Sequence, residues 1–314
     1  MFYAIALRFT WNPVNGIDLG FFKIHFYSLM FVIAFSIGYY LMNAMFKREG
    51  VAKEKLDSLI VYAIVSILIG ARLGHVIFYQ TELFREDFLS VFLPIRTVPN
   101  FEFTGFRGLA SHGATIAIII ALYLFNKKIL KKGWLWILDR AVVVCSPGAA
   151  LVRIGNFLNS EMIGKPNPDG NLAVRFVQNT ADLSSSEVRA RTGISNLDKA
   201  YQALKDQQYA DVIESIPYRY PGQLMESFGY VFVFLILYFL YWKTDAREKP
   251  GFLFGLFLLL LMGVRIIVEQ FKEAQIDGRE NWIYNLNTGQ VLSIPFILLG
   301  LYFIFRPYKK ETVG

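Results

Sequence analysis

Polar and apolar positions along this chain separate into long blocks rather than alternating. Windows 25–46, 108–126 and 281–305 contain no Asp, Glu, Lys or Arg. A bilayer core about 30 Å thick needs about 20 apolar residues in a helix, and each window is close to that length. With the shorter interruptions elsewhere, the pattern predicts seven spans, near 24–46, 57–80, 108–126, 134–156, 223–242, 251–271 and 288–305. Helix is the expected state, because an open strand would leave backbone groups unpaired in lipid. Between the fourth and fifth spans the pattern changes. Residues 173–177 and 216–220 alternate like two short strands that could pair, with a polar insertion near 178–215. Ser184-Ser185-Ser186-Glu187 reads as the cap of one short helix, and 196–207 as a second.

Composition agrees with the pattern. The 314 residues are 54% hydrophobic and 18% charged, against about 45–50% and about 25% in soluble domains. The formal charge of +7 gains meaning from its distribution. Lys47-Arg48 with Lys53 and Lys55, the pairs Lys127-Lys128 and Lys131-Lys132, Lys243 with Arg247 and Lys249, and Arg306 with Lys309-Lys310 all fall in loops on one side. Basic loops belong in the cytoplasm, so the N-terminus is expected outside and the C-terminus inside. No basic face with interleaved aromatics appears, which argues against a nucleic-acid partner. One cysteine, Cys145, excludes an internal disulfide and a multi-cysteine metal site, and a small buried residue is the default expectation for it. The first 21 residues lack the pattern of a cleavable signal peptide.

The fold class expected is therefore an all-α polytopic membrane protein with a small α+β extracytoplasmic head. Residues 1–156 would hold the first four spans with an outer arm near 81–107, residues 157–222 the head, and 223–314 the last three spans and a cytoplasmic tail. On this topology Arg72, His112, Arg153, Glu226, Arg265 and Glu269 come from five helices at similar depth, toward the outer leaflet. Arginine is costly at a bilayer centre, about 2.5–3.5 kcal/mol on insertion scales, so a polar site is implied. Three guanidinium groups at headgroup depth suit a phosphate, and a histidine suits proton transfer near neutral pH. Asn156 and Asn159 could orient these groups. Each residue has a blander reading too. Arg265 and Glu269 could be an intrahelical pair that lets the span insert, and His112 an interfacial residue behind Ser111. Gly113, Gly155 and Gly164 could serve packing or turns. Tyr27 could be a belt anchor, and Asp139 with Arg140 could snorkel at the cytoplasmic end. The three histidines lack zinc-motif spacing, so no metal is expected.

The string Arg153-Ile154-Gly155-Asn156-Phe157-Leu158-Asn159-Ser160-Glu161, ending at Gly164, resembles the signature of the bacterial prolipoprotein diacylglyceryl transferase family. His25-Phe26-Tyr27-Ser28-Leu29, Gly70-Ala71-Arg72-Leu73-Gly74, Ser111-His112-Gly113, the segment from Arg219 to Glu226, Arg265 to Glu269, and Gly289 to Pro295 resemble further family motifs, in the same order. The resemblance implies transfer of an sn-1,2-diacylglyceryl group from phosphatidylglycerol to the lipobox cysteine of a prolipoprotein signal peptide, with glycerol 1-phosphate released and no cofactor. It places His112, Arg153 and Arg265 in catalysis. Tyr27, Arg72, Asn156, Glu161, Gly164, Glu226 and Glu269 fall around the lipid, with Glu269 orienting Arg265. Membrane lipids would surround the enzyme in the bacterial plasma membrane, its site toward the outer leaflet. Val152, Ala114, His75 and Lys272 depart from the usual pattern. Lys272 stands for an arginine, keeps the charge and loses the bidentate fork, so it is left outside the expected core site. A transporter would also gather charge across helices, but nearer the midplane and with inverted repeats; none is visible. A scaffold would need no convergent His/Arg set.

Overall fold

The computed structural model describes residues 7–20, 23–93, 95–103, 110–273 and 286–308. Strands β1 (Leu7–Trp11), β2 (Gly16–Asp18) and β3 (Lys23–His25) lead into α1 (Phe26–Arg48) and α2 (Lys53–Tyr79). Helices α3 (Leu83–Glu86) and α4 (Phe88–Phe92) and strands β4 (Ile95–Arg96) and β5 (Glu102–Phe103) follow. Next come α5 (Ser111–Phe125), continued by a π-helical turn over Asn126–Leu130, and α6 (Trp134–Leu158). The polar segment then forms β6 (Leu172–Phe176), α7 (Ser185–Thr192), α8 (Leu197–Ala203), α9 (Ala210–Ser215) and β7 (Tyr218–Arg219). The chain ends with α10 (Gly222–Lys243), α11 (Phe252–Glu269) and α12 (Thr288–Phe305).

Among the described residues seven helices, α1, α2, α5 with its extension, α6, α10, α11 and α12, are long and apolar enough to cross a bilayer. The protein is a multi-pass membrane protein. The seven helices match the seven predicted blocks with ends shifted by at most four residues, at the end of the α5 extension and at the start of α2. There the charged turn from Lys53 to Asp57 is helical although too polar to register as part of an apolar run. Part of the predicted outer arm and most of the 272–287 connection lie outside the described residues.

Contacts divide the chain into two compact units, one of residues 1–38 with 141–314 and one of 39–140. In the first, β6 pairs antiparallel with β7 through Val174 opposite Arg219 and Arg175 opposite Tyr218, as the alternating pattern predicted. β1 adds to the other edge of β6 in parallel, Leu7 opposite Leu172 through Trp11 opposite Phe176. That strand was not foreseen, since its residues are mostly exposed and show no buried face. Ser184 caps α7 by accepting from the Glu187 N–H, and Asn196 caps α8 by accepting from the Lys199 N–H. Behind the sheet, Val177, Leu183, Val188, Leu204 and Ile216 form a small core of their own.

In the second unit α2 and α5 cross at glycines. A Cβ on Gly113 would lie 2.1 Å from the Gly70 carbonyl oxygen and 2.7 Å from Gly74 Cα, so only hydrogen fits there. At the opposite end, Arg140 does not snorkel. It is buried, forms a bidentate pair with Glu49 at 2.8 Å, and lies over the Trp136 ring 4.3 Å from its centroid. Cys145 is also not buried: it is exposed on α6.

Candidate active site

The last turn of α6 sets the geometry. Arg153 and Asn156 are three residues apart and share a helix face, where Arg153 Nη1 donates to Asn156 Oδ1 at 3.3 Å. The helix then turns sharply. Ser160 (φ 54°) and Met162 (φ 57°) both adopt left-handed backbone, a conformation uncommon for residues other than glycine. Glu161 sits between them, its carboxylate accepting from Asn156 Nδ2 and Asn159 Nδ2, each at 3.3 Å. The Gln223 side-chain amide donates to the Glu161 carbonyl. Trp11 fixes the same turn from the sheet, stacking on Phe157 with ring centroids 4.5 Å apart and donating to its carbonyl at 3.0 Å. Gly155 leaves room for Tyr27: a Cβ there would lie 2.7 Å from the Tyr27 ring.

From Arg153 an unbroken chain of charge runs across three elements. Arg153 Nε faces Glu226 Oε2 of α10 at 2.8 Å. Glu226 Oε1 faces Lys272 Nζ at 3.0 Å and accepts from the Tyr230 hydroxyl at 3.4 Å. Lys272 Nζ reaches Glu269 Oε1 at 3.5 Å, and Arg265 Nε approaches that same oxygen at 3.7 Å. Asn287, the cap of α12, donates to the Glu269 carbonyl at 3.1 Å and to its carboxylate at 3.4 Å. Gly289 lets this carboxylate in, because a Cβ there would stand 2.5 Å from Glu269 Cδ. Exposure is graded along the chain. The side chains of Glu226, Lys272 and Glu269 are 0%, 5% and 7% exposed, whereas Arg153 is 22% and Arg265 35% exposed. The carboxylates and the lysine lie inside, and the two guanidiniums face outward.

The backbone carrying Lys272 is clamped to the signature loop. Gly164 bridges Lys272 antiparallel, and the Lys165 N–H donates to the Phe271 carbonyl at 2.8 Å. A Cβ on Gly164 would lie 2.5 Å from the Tyr220 carbonyl and 2.7 Å from that of Phe271, so this glycine permits the close approach. Arg219 closes the clamp by donating to Asp182, to Glu273 and to the Gly164 carbonyl. Burial by itself lowers the pKa of this guanidinium, but the Asp182 and Glu273 carboxylates outweigh it and hold the pKa above the ordinary arginine value.

The structure thus brings Arg153, Asn156, Glu161, Glu226, Arg265 and Glu269 into one polar network in the first unit, with Tyr27 and Gly164 at its walls. Arg72 and His112 belong to the second unit. His112 is exposed in the first turn of α5, where Ala110 N–H donates to the Ala71 carbonyl at 2.9 Å. Arg72 Nη2 donates to the Ser90 carbonyl of α4. Tyr230, Gln223 and Asn287 were not among the expected site residues, and Lys272, noted in the sequence, was left outside the expected core site. Spacing carried part of the signal: Tyr230 lies one turn beyond Glu226 and Lys272 three residues beyond Glu269. Asn287 and Gln290 spell the capping box that α12 uses.

Comparison with known proteins adds to this geometry. A family model described as prolipoprotein diacylglyceryl transferase matches residues 15–306. A phosphatidylglycerol–prolipoprotein diacylglyceryl transferase of Bacteroides fragilis is 32% identical over 312 residues, covering 98% of this chain and 99% of the relative. Proteins of the same name from Tolumonas auensis and Porphyromonas gingivalis are 31% and 32% identical. The first covers 96% of this chain and 98% of its own, the second 90% and 89%.

Proposed function

This chain belongs to the prolipoprotein diacylglyceryl transferase family, and we propose that its outward-facing arginines hold the phosphate of the lipid donor while the diacylglyceryl group moves. It is a transferase acting in the diacylglyceryl-transfer step of lipoprotein maturation, with phosphatidylglycerol and a prolipoprotein as substrates. The observation that carries the reading of the site is the graded chain from buried Glu226 to Arg153 and Arg265 at the surface of the network.

The chemistry follows from the substrates. The acceptor is the lipobox cysteine of the signal peptide. Its thiol, with an ordinary pKa of about 8.5, reacts as the thiolate. The sulfur attacks the glycerol carbon bearing the phosphate, a C–S bond forms, and the C–O bond to phosphate breaks. Its electron pair leaves on glycerol 1-phosphate, so the phosphate gains negative charge as the bond breaks. Arg153 and Arg265, already oriented by carboxylates, stabilise that charge without reorganising. The family resemblance gives His112 the role of taking the thiol proton and Arg72 a lipid contact, and beside Arg153 the residues Tyr27, Asn156 and Glu161 are the ones to meet the headgroup. The site opens to the outer leaflet of the bacterial plasma membrane, with the head on the same side.

The test is direct. Purified protein, phosphatidylglycerol and a lipobox peptide are expected to give a diacylglyceryl mass increment on the peptide cysteine, absent from a Cys→Ser peptide. A folded protein that yields no increment from this donor would overturn the reading.

A further inference from the structure

Lys272 has no place in the reaction as drawn, yet it is the most buried cation of the network. Its ammonium lies between two carboxylates, 3.0 Å from Glu226 Oε1 and 3.5 Å from Glu269 Oε1, on a side chain only 5% exposed. Of the two arginines, Arg153 faces the second oxygen of Glu226, and Arg265 approaches the same Glu269 oxygen as Lys272, at only 3.7 Å. Arg265 Nε is buried and has no hydrogen-bond partner among the described residues, so charge relates it to Glu269. Among the described residues three cations meet two carboxylates in this ion-paired chain, and Glu161, exposed, joins it through Asn156.

Resting on the transferase reading above, we propose that Lys272 is a positioning residue. Its ammonium neutralises Glu226 and Glu269 from within and so leaves the forks of Arg153 and Arg265 available to the donor phosphate. Two buried carboxylates without Lys272 would draw both guanidiniums onto themselves, because a carboxylate in low dielectric binds the nearest cation strongly. A lysine suits this place better than a fork. A compact point charge fits between two oxygens of different residues, whereas a planar guanidinium matches two oxygens of one group. The surrounding backbone is built to receive it. Gly222 faces the Lys272 stem, where a Cβ would lie 3.3 Å from Cγ, and Gly164 pins the Lys272 backbone. Lys272 therefore acts on the arginines through Glu226 and Glu269 and does not touch the lipid.

The full-length protein in detergent with phosphatidylglycerol and the lipobox peptide provides the test, read as kcat and KM for the lipid. Lys272→Met is expected to lower kcat/KM by about 100-fold, comparable to loss of one oxyanion donor. Lys272→Arg is expected to lose less than about 10-fold. The decisive variant is Glu226→Gln/Lys272→Met, in which removing one carboxylate restores the balance and recovers at least about 10-fold over Lys272→Met. A raised KM for the lipid in Lys272→Met, without recovery in the double variant, would mean a direct headgroup contact and overturn the proposal. Should Lys272→Met fail to fold, the double variant is compared with Glu226→Gln. Near-equal activity supports the proposal, and a further loss of about 30-fold or more overturns it. Wild-type protein that makes no product overturns the transferase reading, and this proposal with it.

Discussion

Glu226 is the residue on which the network turns. Fully buried on α10, it meets a guanidinium on one oxygen and an ammonium on the other. Removing one partner of a buried ion pair leaves charge uncompensated, at about 3–5 kcal/mol. Glu226→Ala exposes two cations to that penalty, so its thermal unfolding in detergent should fall clearly below wild type, while Glu226→Gln, which retains hydrogen bonds, should fall less. Equal unfolding temperatures for both variants and wild type would remove Glu226 from the centre. Much of this site was legible because ionisable residues are rare in membrane helices and therefore conspicuous: Arg153, Glu226, Arg265 and Glu269 declared themselves by being there. Lys272 was set outside the expected site because a lysine lacks the arginine fork, and just past the end of α11 a lysine ordinarily snorkels to water. In the structure the antiparallel bridge to Gly164 holds its backbone, and its ammonium lies between Glu226 and Glu269.

At the level of elements, the seven apolar helices were legible from length alone, and the crossing of α2 and α5 at Gly70, Gly74 and Gly113 uses small residues. The head was half legible. The β6–β7 pairing and the serine and asparagine caps were written in local sequence, but β1 depends on a partner more than 160 residues away and carries no local signal. The arm after α2 shows another such hub. Asp87 caps α4 and accepts from the Ser90 hydroxyl and the Thr97 hydroxyl and N–H, each at 2.6 Å, with longer bonds from Ser90 N–H and Val98 N–H at 3.3 Å. These bonds, those of Ser90 and Thr97 first, hold its carboxyl well below the usual carboxylate range. A depressed folded pKa gives stability that is complete above the unfolded value of about 3.9 and is lost as pH falls through the folded one. Asp87→Asn should therefore melt below wild type at pH 7, and the difference should shrink as pH drops below about 4. A difference that stays constant from pH 7 to pH 3 would contradict this account of Asp87.

Across the whole molecule, basic loops on one side of seven spans lead us to propose, on the positive-inside rule, that the head of residues 157–222 lies outside. In a Cys145→Ser background, a cysteine at Ser185 should react with a membrane-impermeant maleimide in intact cells, and one at Lys128 should react only after lysis. The reverse pattern would invert the topology and with it the leaflet from which the donor lipid enters. The central claim is that arginines oriented by buried carboxylates carry the donor phosphate through transfer. Arg265→Gln tests it most directly, because Arg265 is the most exposed cation of the network and its loss leaves Glu269 still paired with Lys272. Measured by mass spectrometry of the lipobox peptide, a variant that melts within a few degrees of wild type is expected to lose about 100-fold or more in kcat/KM. Activity within about threefold of wild type would contradict the account.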